Sequence, residues 1–151
     1  MPTLIKNMAE QLKQEHQIIR VAAKKLKDLV ERPASSNEAE QAIWLKSVHE
    51  LLVSLSSHLK AHFAFEEFGG FMEEVVAMSP NDSPQVVRLH QDHQTIQAEG
   101  ESLCALAAKT STRTPQLKRR ILRFLEELDR HEHAENGLVQ RVLTGDLGTT
   151  D

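Results

Sequence analysis

The segment LDRHEHAENGLVQRV, residues 128–142, combines the pattern of a core-facing helix with a histidine and a carboxylate at core positions. Read at helical intervals from further upstream, the core-facing positions are Leu117, Ile121, Phe124, Leu128, His131, Glu135, Leu138 and Val142. Alternating steps of four and three residues are typical of one apolar face of an amphipathic helix. His131 and Glu135 therefore stand where leucines are expected, on the same face of the helix. A buried, unpaired carboxylate is so costly that it normally becomes neutral, pairs with a cation or binds a metal.

Composition and charge narrow the class of protein. With 151 residues, 40% of them hydrophobic, the chain is predicted to form one domain over residues 1–151. A net charge of -4 with scattered Lys and Arg argues against nucleic-acid binding. No stretch approaches the about 20 apolar residues of a membrane span, and the N-terminal segment lacks the apolar region of a signal peptide. The single cysteine, Cys104, excludes an intramolecular disulfide and favours a cytoplasmic location.

Breaker residues divide the chain into four predicted helices, and no convincing strand pattern lies between them. The helices are predicted at about residues 4–31, 38–68, 84–109 and 115–143, with continuation of the second to residue 78 as an alternative. Arg32-Pro33 ends the first helix, Asn37 is one candidate N-cap of the second, and Ser83-Pro84 and Thr114-Pro115 start the last two. Residues 144–151 are predicted to be a polar tail. Short loops between four helices favour an all-α fold, an up-down-up-down antiparallel four-helix bundle.

Every predicted helix carries a histidine on its core-facing stripe, namely His16, His62, His93 and His131. Of the eight histidines in the chain, only His62 and His131 are followed four residues later by a glutamate, and both glutamates, Glu66 and Glu135, fall on the stripes. The pattern also repeats. QEHQII (residues 14–19) resembles QDHQTI (91–96), and HFAFEE (62–67) resembles HEHAEN (131–136). This duplication predicts an approximate two-fold axis, on which a pair of metals is expected rather than one.

The residue types indicate which metals this group suits. Six ionisable side chains that converge on one core are hard to stabilise without cations among them. Imidazole and carboxylate without thiolate suit iron, manganese or zinc. A structural zinc site needs four ligands, whereas six groups with two carboxylates suit two metals bridged by glutamate. The Glu-x-x-His motif of ferritin-like bundles occurs nowhere in the chain, which disfavours that class.

The ordered set of His16, His62-x-x-x-Glu66, His93 and His131-x-x-x-Glu135 resembles the hemerythrin-like, HHE cation-binding domain family. The resemblance extends from about Leu4 to Leu147, and the DLG sequence at residues 146–148 is also similar to the usual end of such domains. It implies a non-haem di-iron centre inside a four-helix bundle, in which Glu66 and Glu135 bridge two irons and the four histidines complete the ligand set. Zinc or manganese are the expected substitutes. The implied ligands are O2, NO or peroxide, or the protein responds to iron or redox state.

The chain departs from oxygen-carrying hemerythrins on the third predicted helix, where those proteins have His-x-x-x-His. Gln97 follows His93 by four residues, and Gln94 follows His90 by four. A fifth histidine ligand is therefore missing unless His58 or His90, each about one helical turn (~5.4 Å) from a ligand, binds metal. Otherwise these two are expected to be hydrogen-bond partners of the ligands. Open coordination positions favour reactivity or sensing over reversible oxygen carriage.

Several side chains near these motifs have alternative interpretations. Glu67 is predicted to face outward, because neighbouring residues diverge by about 100° on a helix. Glu15 and Asp92 are predicted to be solvated or to hydrogen-bond to the histidines. Phe63 and Phe65 are candidates for core positions or for the wall of a gas-sized pocket.

The sequence also leaves the activity open. No dedicated catalytic residue is identified, and His58 and His90 are the only proton-donor candidates near an open position, so enzymatic activity stays open. The alternative function is a protein-interaction module whose histidines are structural or bind zinc. The oligomeric state is not predicted.

The positions of the first two histidines conflict with helices of matched length. His16 lies about 16 residues before the first loop and His62 about 24 residues after it, a mismatch of ~12 Å at 1.5 Å per residue. The second helix is therefore predicted either to extend past the end of the first or to be irregular. His93 and His131 show no such mismatch.

Overall fold

The computed structural model describes residues 2–111 and 114–148, and within these ranges the chain forms helices joined by short loops. The helices are α1 (Pro2–Glu31), α2 (Glu38–Phe68), α3 (Phe71–Met78), α4 (Ser83–Lys109) and α5 (Pro115–Gly148), with a 3-10 turn at Pro80–Asp82. The all-α prediction is confirmed for the described residues. Continuation of the second helix to residue 78 is wrong, because α3 is a separate helix.

Hydrogen bonds at two helix starts agree with the predicted caps. Asn37 Oδ1 accepts a hydrogen bond from the backbone N–H of Glu40 at 3.1 Å, and Thr114 Oγ1 accepts one from the N–H of Leu117 at 3.2 Å. The predicted Ser83 cap is wrong, because the 3-10 turn leads directly into α4 and Ser83 is already helical.

The C-terminal segment also differs from its prediction. α5 continues to Gly148, so the predicted polar tail is helical up to that residue. No proline lies in residues 144–148 to end the helix. Residues 149–151 of the predicted tail lie outside the described part of the chain.

The break between α2 and α3 is made by Gly69 and Gly70. Gly70 has a φ of 84°, a left-handed conformation that glycine adopts without a steric penalty. The chain turns there, and α3 contacts α1, α2, α4 and α5 with Phe71, Met72 and Val75 buried. The short helix therefore closes one end of the core instead of extending α2.

Replacing Phe71 tests the contribution of α3. The side chain is 0% exposed, so Phe71→Ala is expected to lower the free energy of unfolding by about 3–5 kcal/mol through lost burial and a cavity. Phe68→Ala is the matched control. Phe68 is 86% exposed, and its loss should change stability by no more than about 0.5 kcal/mol. Urea unfolding followed by circular dichroism measures both, and equal losses would contradict this placement of α3.

The buried apolar residues form two clusters with a polar layer between them. One cluster includes Leu26, Leu55, Leu103 and Leu128, and the other includes Leu12, Phe71, Leu89 and Leu138. His131 and Glu135 lie between Leu128 and Leu138 along α5, and His16 lies between Leu12 and Ile19 along α1. The fold therefore surrounds this polar layer with hydrocarbon above and below.

The long helices present an apolar stripe to the core and polar residues elsewhere. α1 contacts α2 and α5, and α4 contacts the same two helices. Within residues 2–111 and 114–148, no helix has both the length and the apolar character that crossing a membrane requires.

The start of α2 extends past the end of α1. The indole N–H of Trp44 donates a hydrogen bond to the carbonyl of Leu29 at 2.9 Å. Trp44 is six residues into α2, whereas only two residues of α1 follow Leu29. This contact agrees with the predicted overhang, and it leaves His16 and His62 at the same level of the core.

Candidate metal centre

The structure brings all six predicted ligand residues together in the polar layer. Each of the four long helices contributes, and every one of these side chains is buried: His16 from α1, His62 and Glu66 from α2, His93 from α4, and His131 and Glu135 from α5. Helical spacing explains the convergence, because residues four apart in α2 and in α5 project from the same face of the helix.

The six residues form two overlapping groups of four. One group contains His16 and His62 and the other contains His93 and His131, while Glu66 and Glu135 belong to both. Within each group, one donor atom of every residue lies within 4.8 Å of the other three. We call the first group position A and the second position B.

At position A, the Oε1 atoms of the two glutamates face two imidazoles. His16 Nε2 lies 2.9 Å from Glu135 Oε1 and 3.1 Å from His62 Nε2. His62 Nε2 lies 3.6 Å from Glu135 Oε1 and also contacts Glu66 Oε1.

At position B, the Oε2 atoms of the two glutamates face the other two imidazoles. His93 Nε2 lies 3.3 Å from Glu66 Oε2 and 3.7 Å from Glu135 Oε2. His131 Nε2 lies 2.9 Å from Glu135 Oε2. Each carboxylate thus turns one oxygen to each position, the arrangement that a bridging carboxylate requires.

These distances fit donor atoms that share a cation. Bonds of about 2.0–2.2 Å from a metal to imidazole or carboxylate, at angles of about 90–120°, place neighbouring donor atoms about 3–3.8 Å apart. Several of these atoms are also buried without a well-aligned hydrogen bond within the described chain: both Oε atoms of Glu66, Oε2 of Glu135, Nε2 of His93 and Nε2 of His131. Buried polar atoms without partners are expensive, so the donor set fits two metal ions.

The two carboxyl groups have opposite pKa shifts in the absence of a cation. Burial and the nearby charge of Glu135 raise the pKa of Glu66 well above its usual value. Burial also raises the pKa of Glu135, but hydrogen bonds from His131, His16, His62 and His93 outweigh it and hold the pKa well below its usual value. Two carboxylates this close cannot both stay ionised without positive charge between them.

The imidazoles of position B supply part of that charge as protons. Burial lowers the pKa values of His93 and His131, but hydrogen bonds to the glutamates raise both above the usual value. Metal binding requires deprotonated imidazole and carboxylate. A metal must therefore displace protons here, and its apparent affinity should fall as the pH is lowered.

The outer nitrogen of every candidate ligand histidine faces an oxygen. The Nδ1···O distances are 2.9 Å from His16 to Asn136, 3.7 Å from His62 to Glu15, 3.7 Å from His93 to Glu67 and 3.3 Å from His131 to Asp92. The contacts of His16 and His131 are hydrogen bonds, which orient a ligating imidazole and make it more basic, whereas the 3.7 Å contacts of His62 and His93 are too long for a hydrogen bond. The inner nitrogen is thereby left to face the shared carboxylates.

The paired contacts follow the sequence repeat. Glu15, which precedes His16, lies beside His62, and Asp92, which precedes His93, lies beside His131. The rings of His16 and His62 have centroids 4.8 Å apart at 68°, and those of His93 and His131 are 4.8 Å apart at 70°. The two halves of the site therefore have nearly the same geometry, as the duplication predicts.

Two of these outer partners correct the sequence prediction. Glu67 does not simply face outward: it is half-buried, and the 100° turn after Glu66 directs it at α4 and His93. Asn136 was missed, although it occupies the place in the second repeat that Glu67 has in the first. Asp92 forms the predicted hydrogen bond to a histidine, whereas Glu15 lies 3.7 Å from His62 without one.

Glu132 is a further buried carboxyl group that the sequence did not single out. It is 5% exposed, and its Oε1 atom is buried without a hydrogen-bond partner among the described residues. Burial raises its pKa, while the charges of His16, Arg20 and His62 lower it. One residue past His131, it lies off the stripe that carries the candidate ligands, so the stripe pattern could not reveal it.

His58 and His90 are outside both groups of donor atoms. His58 is exposed and belongs to neither group of four. His90 is half-buried, with its ring centroid 5.7 Å from that of His93, and burial lowers its pKa. His90 therefore lies next to the centre, beside the His93 ring, and does not belong to either donor group.

The two histidines of α2 give a direct comparison. We expect His62→Ala to weaken metal binding at position A by at least about 10-fold, because it removes an imidazole ligand. His58→Ala should leave metal content unchanged and alter the free energy of unfolding by no more than about 0.5 kcal/mol. Metal analysis after gel filtration measures the first effect. Loss of metal from the His58 variant with retention in the His62 variant would contradict the assignment.

The two phenylalanines considered for a pocket wall have different surroundings. Phe63 is buried and stacks on the His93 ring with a centroid distance of 4.0 Å, and its edge meets His131 at 5.7 Å. Phe65 is half-buried and stacks on Phe71 at 6.3 Å. Phe63 therefore covers position B with hydrocarbon, whereas Phe65 belongs to the cluster around α3.

Two surface grooves run along α5, and each has one candidate ligand histidine in its lining. The groove between α4 and α5 has a volume of about 1040 Å³ and includes Asp92 and His131 in its lining. The groove between α1 and α5 has a volume of about 770 Å³ and includes His16 and Asn136. Each groove thus ends at an outer partner and the histidine beside it.

Comparisons with known proteins do not assign the chain to a family. Neither a scan against protein-family models nor searches of curated proteins and solved structures give a match. The argument for function therefore rests on the side chains and their geometry.

Proposed function

We propose that this protein is a hemerythrin-like di-iron protein that binds or senses a small oxidant or gas such as O2, NO or peroxide. The observation that carries the proposal is the pair of overlapping donor groups, which share Glu66 and Glu135. A single structural zinc would need only one group of four ligands. Two groups joined by two carboxylates, each with an oxygen turned to each group, instead fit two bridged ions.

The proposed architecture is an up-down-up-down bundle of the four long helices. It is supported by the contacts of α1 and α4, each of which packs against α2 and α5. The short loops between consecutive long helices also favour antiparallel neighbours. α3 is then an addition at one end of the bundle and carries none of the six candidate ligands.

Iron is the metal that we favour among those that the donor set accepts. Imidazole and carboxylate also suit manganese and zinc, but a pair of bridged irons supplies reversible one-electron chemistry that zinc lacks. Each position has two imidazoles and two carboxylate oxygens among the six candidate ligands. Four protein donors leave room for an external ligand on an ion that accepts six.

The chain's own residues would bind and position the metal pair. The shared glutamates balance its charge, the outer partners orient the imidazoles, and Phe63 keeps water away from one side of position B. The two grooves along α5 give a small ligand short routes to the centre. The single cysteine, whose thiol pKa is raised by burial, supports our placement of the protein in the reducing cytoplasm.

Ligand addition to the iron-loaded protein tests the functional part of this proposal. Protein loaded with ferrous iron under anaerobic conditions should change its ultraviolet and visible absorption when O2, NO or peroxide is added singly. The Glu135→Gln variant treated in the same way controls for iron bound elsewhere. A protein that holds two irons but whose spectrum responds to none of the three would contradict the proposed function and leave the metal site standing.

A further inference from the structure

Positions A and B are distinguished by a pair of counterpart residues that differ between the two halves of the sequence repeat. The residue after His62 is Phe63, and the residue after His131 is Glu132, so the two are counterparts in the duplication. Phe63 stacks on His93 of position B at 4.0 Å, and its ring lies 5.7 Å from His131 of the same position and 5.7 Å from its chain neighbour His62. The same two-fold relation places its counterpart beside His16 and His62, the two imidazoles of position A.

The surroundings of Glu132 agree with this placement. The groups near enough to act electrostatically on its carboxyl group are His16 and His62, together with Arg20 and Glu135. The residue is 5% exposed, and Oε1 has no hydrogen-bond partner within the described chain. Where position B is covered by an aromatic ring, the equivalent place at position A therefore holds a carboxyl group with one buried oxygen, Oε1, that accepts no hydrogen bond from the described residues.

Charge balance gives a second reason for a carboxylate at this place. Both outer partners of position B are acids, Glu67 beside His93 and Asp92 beside His131. At position A, Glu15 is an acid but the partner of His16 is the neutral amide of Asn136. When ionised by a bound cation, Glu132 would give position A the second carboxylate that Asn136 does not provide.

We propose that Glu132 is an additional ligand of the metal at position A, so that the two ions have different ligand sets. The inference rests on the proposed di-iron centre. Glu132 stands outside the compact donor group of position A, and a glutamate has three side-chain torsions through which its carboxylate can turn towards an ion. Carboxylate oxygen suits the same metals as the other donors. Position B has no corresponding ligand, because Phe63 occupies the equivalent place.

Anaerobic titration of the metal-free protein with Co²⁺ tests the ligand directly. The wild-type protein should bind two ions, and Glu132→Gln should weaken one of them by at least about 10-fold, with a changed visible absorption for that ion only. Glu126→Gln, an exposed acid on the same helix, is the matched control and should bind as the wild type does. Unchanged affinity and absorption in the Glu132 variant would overturn the inference, as would equal weakening of both ions.

Combination with histidine variants assigns the affected position. In a His93→Ala background, where position B is weakened, Glu132→Gln should abolish the remaining tight ion. In a His16→Ala background, where position A is weakened, the same change should leave the affinity for the remaining tight ion, at position B, unaltered. The reverse pattern would overturn the inference. The absence of an effect in both backgrounds would also overturn it, because that result is expected if Glu132 only pairs with Arg20.

A further test uses only the wild-type protein, so its result does not depend on whether the variants fold. The Mössbauer spectrum of the iron-loaded wild-type protein should show two doublets of equal area, because a third carboxylate binds one iron only. One doublet for both irons would overturn the inference. A wild-type protein that binds no metal in any of these experiments would instead refute the proposed centre itself, so the two failures are distinguishable.

Discussion

Glu135→Gln is expected to abolish tight metal binding at both positions. Among the described residues, Glu135 alone contacts all four histidines, at 2.9 Å from His16 and His131 and at 3.6–3.7 Å from His62 and His93. A neutral amide has one acceptor oxygen and cannot bridge two cations as a carboxylate does. Metal analysis after removal of loosely bound ions should show fewer than one ion per chain, against two for the wild type.

The same variant should also be less stable without metal. Hydrogen bonds from the histidines hold the pKa of Glu135 well below its usual value, so the ionised group stabilises the folded state at neutral pH. Breaking a buried ion pair by removing one partner costs about 3–5 kcal/mol. Because the folded-state pKa is lowered, the difference between variant and wild type should shrink as the pH falls through the ordinary carboxyl range.

A control variant helps to distinguish the metal centre from the alternative function, a protein-interaction module. Glu126→Gln changes an exposed acid on the same helix and should retain both metal and stability. If the protein were an interaction module with structural histidines, Glu135→Gln would still lose its contacts with those histidines, so metal content and not stability separates the two functions. Wild-type metal content in the Glu135 variant would therefore contradict the centre.

Removal of the metals is the second large effect that we expect. A ligand present at 100 times its dissociation constant stabilises the folded state by about 2.7 kcal/mol, so two ions contribute about 5 kcal/mol. For a chain of this size that corresponds to about 10–20 °C in the melting temperature. Scanning calorimetry before and after chelation measures the shift, and restored iron should reverse it.

The physical reason for this shift lies in the polar layer. Without cations, the two glutamates and four imidazoles must share protons between two apolar clusters, and the pKa of Glu66 rises accordingly. Cations replace those protons and satisfy donor atoms that are otherwise buried without hydrogen bonds. A melting temperature unaffected by chelation in a protein shown to lose its metal would contradict this account of the core.

The sequence was most informative where periodicity and chemistry acted together. His131 and Glu135 interrupt a regular apolar stripe, and that interruption predicted both a helix and a polar layer inside it. The structure buries both side chains and brings Glu135 within 2.9 Å of His16, which is more than one hundred residues away. The repeat of the pattern predicted the near-equal geometry of the two histidine pairs.

Features set by tertiary packing were less accessible from the sequence. Glu67 and Glu132 each follow a stripe residue by one position, so periodicity alone assigns both to another face of the helix. Which neighbouring helix that face meets decides that Glu67 reaches His93 and that Glu132 is buried. The separation of α3 from α2 similarly depends on the positive φ of Gly70, which a Gly-Gly sequence permits but does not require.

The most direct test of the central claim is the metal content of freshly purified protein, measured together with an absorption spectrum in air. The account predicts about two irons per chain and the near-ultraviolet absorption of carboxylate-ligated ferric iron, with both lost in Glu135→Gln. A stably folded chain that contains no metal and takes up none when ferrous iron is supplied anaerobically would contradict it.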